Sequence, residues 1–420
     1  MHGRSGAIVH SVMILLATLV TSIAPVAGQD AFRKSAGDRG FRAMEAGRYE
    51  TAETLFLAAL KAADRNGSRD AATVHSLRGL GLVRLRQGRH AEAVDVLRQA
   101  VRLAESSEGP STKLAADAIH DLASAYAAVA DYENAEELYS RSRDLREELL
   151  GPGHPDVAAS LNNLALLSSE RGEFEDAMAL YEEAFSITGR ALGPDHAESG
   201  AVLNNLAGCC WALGRYDDAA AFAARALRIR RKTYGEEHPL VAACLVQEAR
   251  IQRARGDYEN AEQTYRKVLQ IDLKYFGAEH VEAALQRRAL ALMAAVAERH
   301  DEAEVLLQQS LEVLRRQPRG DGSTHLQAVT RRGLELADAQ RFSEAEAALS
   351  TAWRISEQHY GPDAAETLRL LRLTADAVGA QGRSEERLVL RGWAEGGYGS
   401  QRTLNVARQP GNFVEPEPSR

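Results

Sequence analysis

Cysteine is almost missing from this sequence: three residues in 420, Cys209, Cys210 and Cys244. An odd count without metal-ligand spacing argues against a disulfide framework and a zinc site. It leaves the three as small buried residues of helices. Proline is scarce as well, with 11 residues, and the bulk of the chain is Ala, Leu, Glu and Arg, all good helix formers. The formal net charge of −8 is spread along the chain, and no long Lys/Arg run with interleaved aromatics occurs. Nucleic acid is therefore excluded as a partner. Signatures of chemistry are absent too. There is no Gly-x-Ser-x-Gly elbow and no His-Glu-x-x-His pair, and Gly79-x-Gly81 lacks the third glycine of a phosphate loop. The reading is not an enzyme, with no catalytic, cofactor-binding or metal-binding residue and no cofactor. What is present, 45% hydrophobic and 26% charged residues, is the composition of a folded chain.

A long apolar run occurs once. Arg4 precedes Val12-Met13-Ile14-Leu15-Leu16-Ala17-Thr18-Leu19-Val20, and Ala24-Pro25-Val26-Ala27-Gly28-Gln29 follows. A basic start, an apolar middle and a small-residue exit form a secretory signal peptide, here 1–28, cut after Ala27 or Gly28. The alternative is an uncleaved N-terminal anchor, for which the run is short. No cysteine follows it to accept a lipid. Either way the rest of the chain is expected outside the cytoplasm, periplasmic or secreted.

The remainder is periodic. An aromatic residue or histidine recurs at Tyr49, His90, Tyr132, Phe174, Tyr216, Tyr258, His300 and Phe342, first after 41 residues and then every 42. Three residues after each lies an alanine: Ala52, Ala93, Ala135, Ala177, Ala219, Ala261, Ala303 and Ala345. Twelve residues before each alanine is a second small residue: Gly40, Gly81, Ala123, Ala165, Ala207, Ala249, Ala291 and Gly333. A ninth copy is degenerate, with Ala375 in register but Ser384 and Arg387 in place of the aromatic and the alanine. Two small residues in fixed register let antiparallel helices approach closely. Apolar residues between them recur at three and four, and no stretch alternates as a strand does. Gly47, Gly88, Gly172, Gly214 and Gly256 are placed to end the first helix of a pair. Gly109, Gly151, Gly193, Gly235 and Gly277 close each unit, and the frame is expected to slip at Pro318-Arg319-Gly320-Asp321-Gly322. His154, His196, His238 and His280 fall one per unit, roughly 20 Å apart for two helix diameters. They are too far apart to share a metal ion, which assigns them to turns and neighbouring-repeat contacts.

The stretches Leu161-Asn162-Asn163-Leu164-Ala165, Gly172-Glu173-Phe174-Glu175-Asp176-Ala177 and Leu180-Tyr181-Glu182-Glu183-Ala184 carry a resemblance. They resemble the 42-residue, kinesin-light-chain-like type of tetratricopeptide repeat, over about residues 37–395. The resemblance implies an all-α, right-handed superhelical solenoid of antiparallel helix pairs, with about eight repeats and a degenerate ninth over 31–395. It also implies a concave groove lined by the first helix of each pair and able to hold an extended peptide. In that family, asparagines at the places of Asn162, Asn163, Asn204 and Asn205 contact the ligand backbone. The matching pairs elsewhere differ (His120-Asp121, Val246-Gln247, Arg288-Ala289, Thr330-Arg331), so that role is implied only for the repeats at 151–234.

Helical spacing sorts the groove face further. It runs from Asp117, His120, Asp121 and Ser124 through Asn162, Asn163, Asn204, Asn205 and Trp211 to Gln247, Arg250, Arg253, Arg288 and Arg331. Amides serve the donors and acceptors of a peptide, arginines favour carboxylates, and a tryptophan can anchor an apolar side chain. One reading is therefore a peptide or protein partner with an acidic segment. The other is that these are ordinary solvated faces and Trp211 is a core residue. A scaffold or adaptor is expected, the alternative being a structural protein that associates with copies of itself. Residues 396–420 read as a disordered tail.

Overall fold

Every mark of the repeat falls at a helix end or a helix contact. The computed structural model describes residues 26–45, 47–129, 131–316 and 323–396, and among them are 18 helices and no strand. They form nine pairs. The first four are α1 (Val26–Glu45) with α2 (Tyr49–Asn66), α3 (Ala71–Arg86) with α4 (His90–Ser107), α5 (Lys113–Ala128) with α6 (Tyr132–Leu150), and α7 (Pro155–Glu170) with α8 (Phe174–Ala191). Next come α9 (Ala197–Ala212) with α10 (Tyr216–Tyr234), α11 (Pro239–Ala254) with α12 (Tyr258–Tyr275), and α13 (Val281–Val296) with α14 (His300–Arg315). The last are α15 (Ser323–Asp338) with α16 (Phe342–Tyr360), and α17 (Ala365–Ala380) with α18 (Ser384–Gly396). The chain is an all-α helical-repeat solenoid.

Each periodic aromatic or histidine is the first residue of a second helix, and Ser384 takes that place in the ninth pair. The eight periodic alanines are all buried. The need for small residues opposite them is steric: a Cβ on Gly81 would stand 2.4 Å from Leu97, and one on Gly333 2.8 Å from Leu349. The ninth pair reverses the arrangement. Arg387 replaces the alanine, and Gly379 leaves the room its side chain fills, since a Cβ there would lie 2.2 Å from Arg387. The expected slip of frame at 318–322 does not reach the helices, because α15 starts at Ser323, in register with the other first helices; the slip itself lies outside the described residues. So does most of the expected signal peptide, with α1 starting at Val26, and so does the tail beyond Gly396.

The four turn histidines are N-caps. In each, Nδ1 accepts the backbone N–H two residues on: His154 from Asp156 at 3.1 Å, His196 from Glu198 at 3.3 Å, His238 from Leu240 at 3.1 Å and His280 from Glu282 at 3.3 Å. This satisfies one orphan donor of the following helix. Two rings also stack on the end of the preceding helix, His238 on Tyr234 and His280 on Phe276. Pro155 and Pro239 occupy the first helical turn beside these caps. The three cysteines are free and buried. Burial pushes the thiols of Cys209 and Cys210 up to about 12 and about 11, so none is a poised nucleophile.

The helices form two compact units, one of residues up to 145 apart from 130–132, the other comprising 130–132 and everything from Arg146 on. In the first, Arg33 of α1 reaches both carboxylate oxygens of Asp70, at 3.0 and 2.8 Å, where Asp70 caps α3. That guanidinium holds the Asp70 carboxyl down at about 2. In the second, one periodic position ties a second helix to the next first helix in four of the repeats. Arg146 Nη1 donates to Ser160 Oγ at 2.9 Å, Arg230 Nη1 to the Leu240 carbonyl at 2.9 Å, and Ser356 pairs with Thr367 at 2.9 Å. Asp272, bonded to Gln286, holds the same place in α12.

Candidate functional site

The expected groove face divides between the two units. In the first, Asp117 and Asp121 of α5 are both held by Arg78 of α3, at 3.5 and 2.7 Å. The ring of His120 meets Tyr139 edge-on, and Tyr139 donates to Ser124 at 2.8 Å. These residues lock neighbouring helices together.

In the second unit the amides do converge. Asn205 Nδ2 donates to Asn162 Oδ1 at 2.9 Å, and Asn162 Nδ2 to Asn163 Oδ1 at 3.3 Å, so three carboxamides form a half-buried row across α7 and α9. Asn204 points inward and is buried, its Oδ1 without a hydrogen-bond donor. Trp211 is not an exposed anchor. It is 2% exposed, inside the core, with Arg250 laid over its ring at 3.9 Å. Arg250 in turn donates to Gln247 Oε1 at 3.3 Å. Trp211, Gln247 and Arg250 are thus one packed cluster between α9 and α11.

Arg253 and Arg288 are already matched with carboxylates, and the carboxylates belong to the same chain. Arg253 of α11 bonds Glu346 of α16 at 3.2 Å and lies 3.6 Å from Glu386 of α18. Arg288 of α13 clasps both oxygens of Glu357 at 2.7 and 2.6 Å and covers the ring of Trp353 at 4.4 Å. Arg383 joins the first group by pairing with Glu346 and Glu386, and Gln381 donates to Glu346 at 2.8 Å. Glu346 and Glu386 are 1% and 0% exposed. Burial, with Glu386 alongside, holds the Tyr258 hydroxyl up at about 12.

These contacts place α16 across the ends of the first helices. Ser343 donates to the Trp211 carbonyl at the end of α9, Arg354 bonds Glu170 at the end of α7 at 2.6 Å, and Arg341 pairs with Glu175 at the start of α8. Ala347 enters the core built by α7 to α12. From the ninth pair, Leu371, Ala375, Val378, Leu390, Trp393 and Ala394 share a core with Leu290, Ala291, Leu292 and Met293 of α13. A second helix of a repeat ordinarily keeps an outer face in water; α16 buries Glu344, Ala345, Glu346, Ala347, Ala348 and Leu349 in succession, covering every direction around its axis. The last two pairs are folded back onto the groove. Arg331, by contrast, is 79% exposed on α15. Sequence reasoning missed Glu346, Glu357, Glu386, Arg383 and Trp353. The available signal was the run of small residues on all sides of α16.

Among the described residues no group of three or more His, Cys, Asp and Glu is placed to hold a metal ion, and no helix is long and apolar enough to cross a membrane. The model of the tetratricopeptide repeat matches residues 37–106, 114–190, 169–232, 198–274 and 240–316. The chain belongs to the tetratricopeptide repeat family. A search of curated proteins finds no match. Solved structures of similar fold include a Rap protein in complex with competence and sporulation factor, 14% identical, covering 83% of this chain and 98% of that one, with a TM-score of 0.53. A candidate kinesin light chain of Podosopora anserina with nearly identical repeats is 26% identical, covering 49% of this chain and 98% of that one, with a TM-score of 0.40. The protein BtubC of P. vanneervenii is 20% identical, covering 54% of this chain and 88% of that one, with a TM-score of 0.43.

Proposed function

We propose that this chain is a protein-interaction scaffold of the extracytoplasmic space, exported by its N-terminal apolar segment, and that the amide row of Asn162, Asn163 and Asn205 is where it meets the backbone of a peptide or protein partner. The observation that carries the reading is the row itself. Three carboxamides, half-buried and joined across two repeats, offer donors and acceptors together, which suits a main chain and not one particular side chain. Tetratricopeptide arrays are interaction modules as a class, and the Rap protein of like fold is itself seen with a bound factor. In this structure the arginines Arg253 and Arg288 are paired with carboxylates of the same chain, Glu346, Glu386 and Glu357.

The test is affinity capture from the extracytoplasmic fraction with the native chain and with an Asn163→Ala, Asn205→Ala variant of equal helicity. The expected outcome is a protein retained by the native chain and lost from the variant. An unchanged set of partners would remove the amide row from the binding surface, and recovery of the bait alone would favour self-association.

A further inference from the structure

We propose that α16 acts as an intramolecular ligand of the groove, and that the surface it covers is built to receive an acidic helix. The inference rests on the groove being a binding surface, as proposed above, and adds to it a second mode of recognition: a helix seated across the ends of α7, α9 and α11 and against α13.

Three observations support it. The first is the shape of the occupant. On the side facing the groove α16 offers small residues, Ala347 to the core of α7 to α12 and Ala348 close to Gly172, where a Cβ would come within 3.3 Å. Larger side chains there would hold the helix off. The second is charge. The groove supplies Arg253 and Arg288 and the helix supplies Glu346 and Glu357, about three turns apart along its axis, so two places along the seat are matched by opposite charge. The third is the kind of bond. A buried ion cluster is poor permanent glue, since apolar residues of like volume hold two faces together at least as well. Its advantage is selectivity: it rejects a helix lacking carboxylates at those two places, and a competitor that carries them can take the seat. A partner of the right chemistry is therefore an amphipathic helix with small residues on one face and two glutamates spaced as 346 and 357 are.

The experiment uses the full chain. Glu346→Arg with Glu357→Arg sets α16 against Arg253 and Arg288, and also against Arg383 of the ninth pair, while leaving every residue of α7 to α13 unchanged. The probe is a labelled synthetic peptide of the sequence Phe342–Tyr360. Hydrogen exchange within 342–360 is expected to speed up by roughly a hundredfold or more, the factor set by breaking one buried ion pair, with 155–315 still protected. That variant should capture the peptide, whereas the native chain should capture little, and a peptide with both glutamates replaced by arginine should bind neither. Unchanged protection of α16, release without capture, or equal capture by the native chain would each overturn the proposal. If the variant loses helicity throughout, the paired reversal Arg288→Glu with Glu357→Arg decides. Restored protection of 342–360 supports the seat, and failure to restore it makes α16 an ordinary core helix. Failure here leaves the amide row standing, because its own test changes only Asn163 and Asn205.

Discussion

Two residues sit in a backbone conformation that their side chains disfavour. Glu298 and Gln340 have φ of 58° and 60°, at the position where Gly172, Gly214, Gly256 and Gly382 end other first helices at 73° to 85°. A side chain in this left-handed region costs about 1–2 kcal/mol, and both residues are exposed, so no contact is lost on removing them. Glu298→Gly and Gln340→Gly should each raise stability by about 0.5–1 kcal/mol, after allowing for the greater freedom of glycine in the unfolded chain. Denaturant titration should show a higher midpoint with an unchanged slope. The glycines themselves were legible in the sequence because a helix end makes a local demand on one residue. Trp211 was legible only as two alternatives, anchor or core residue, because the side chain laid over its ring, Arg250, comes from a different repeat. The histidine N-caps lie between: their place in the turns followed from the spacing, whereas the Nδ1 acceptor geometry needed coordinates.

Among the helices, α12 carries a group that should make stability depend on pH. Asp272 is buried, and burial with Glu282 nearby pushes its carboxyl from the ordinary 3.8 up to about 7. The folded chain thus holds this proton more tightly than the unfolded chain does. The stability it contributes is whole below 3.8, falls as the pH rises, and is gone above about 7. Asp272→Asn keeps a partner for Gln286 and cannot ionise. The variant and native melting temperatures should be close near pH 4, diverge in favour of the variant up to about pH 7, and run parallel beyond it, as read by circular dichroism. A constant offset at all pH values would mean that Asp272 stays ionised in the folded chain. Helix positions were legible to the residue, since the first residue of each second helix is the periodic aromatic or histidine. The different role of α16 was weakly legible. It has the repeat's spacing, but Ala345, Ala347, Ala348, Ser350, Thr351 and Ala352 ring it with small residues, whereas α12 keeps Glu259, Arg266 and Lys267 exposed.

A stack in which each repeat touches only its neighbours frays progressively from its ends. The second unit is not connected that way: α16 reaches α7, α9, α11 and α13, and α18 reaches α13, so the last two pairs have a second boundary besides the one along the chain. No periodic sequence mark records such contacts, because Arg253–Glu346 joins residues 93 apart and Arg354–Glu170 residues 184 apart. Release of α16 from the groove must break all of these together with the packing of α18 on α13, which makes α15 to α18 one cooperative piece. Native-state hydrogen exchange should therefore give 323–396 a single opening free energy, lower than that of 155–315 and uniform along its length. A graded fall in protection from α15 to α18 would be the signature of independent fraying, and would mean that the fold-back contributes little to holding the last repeats in place.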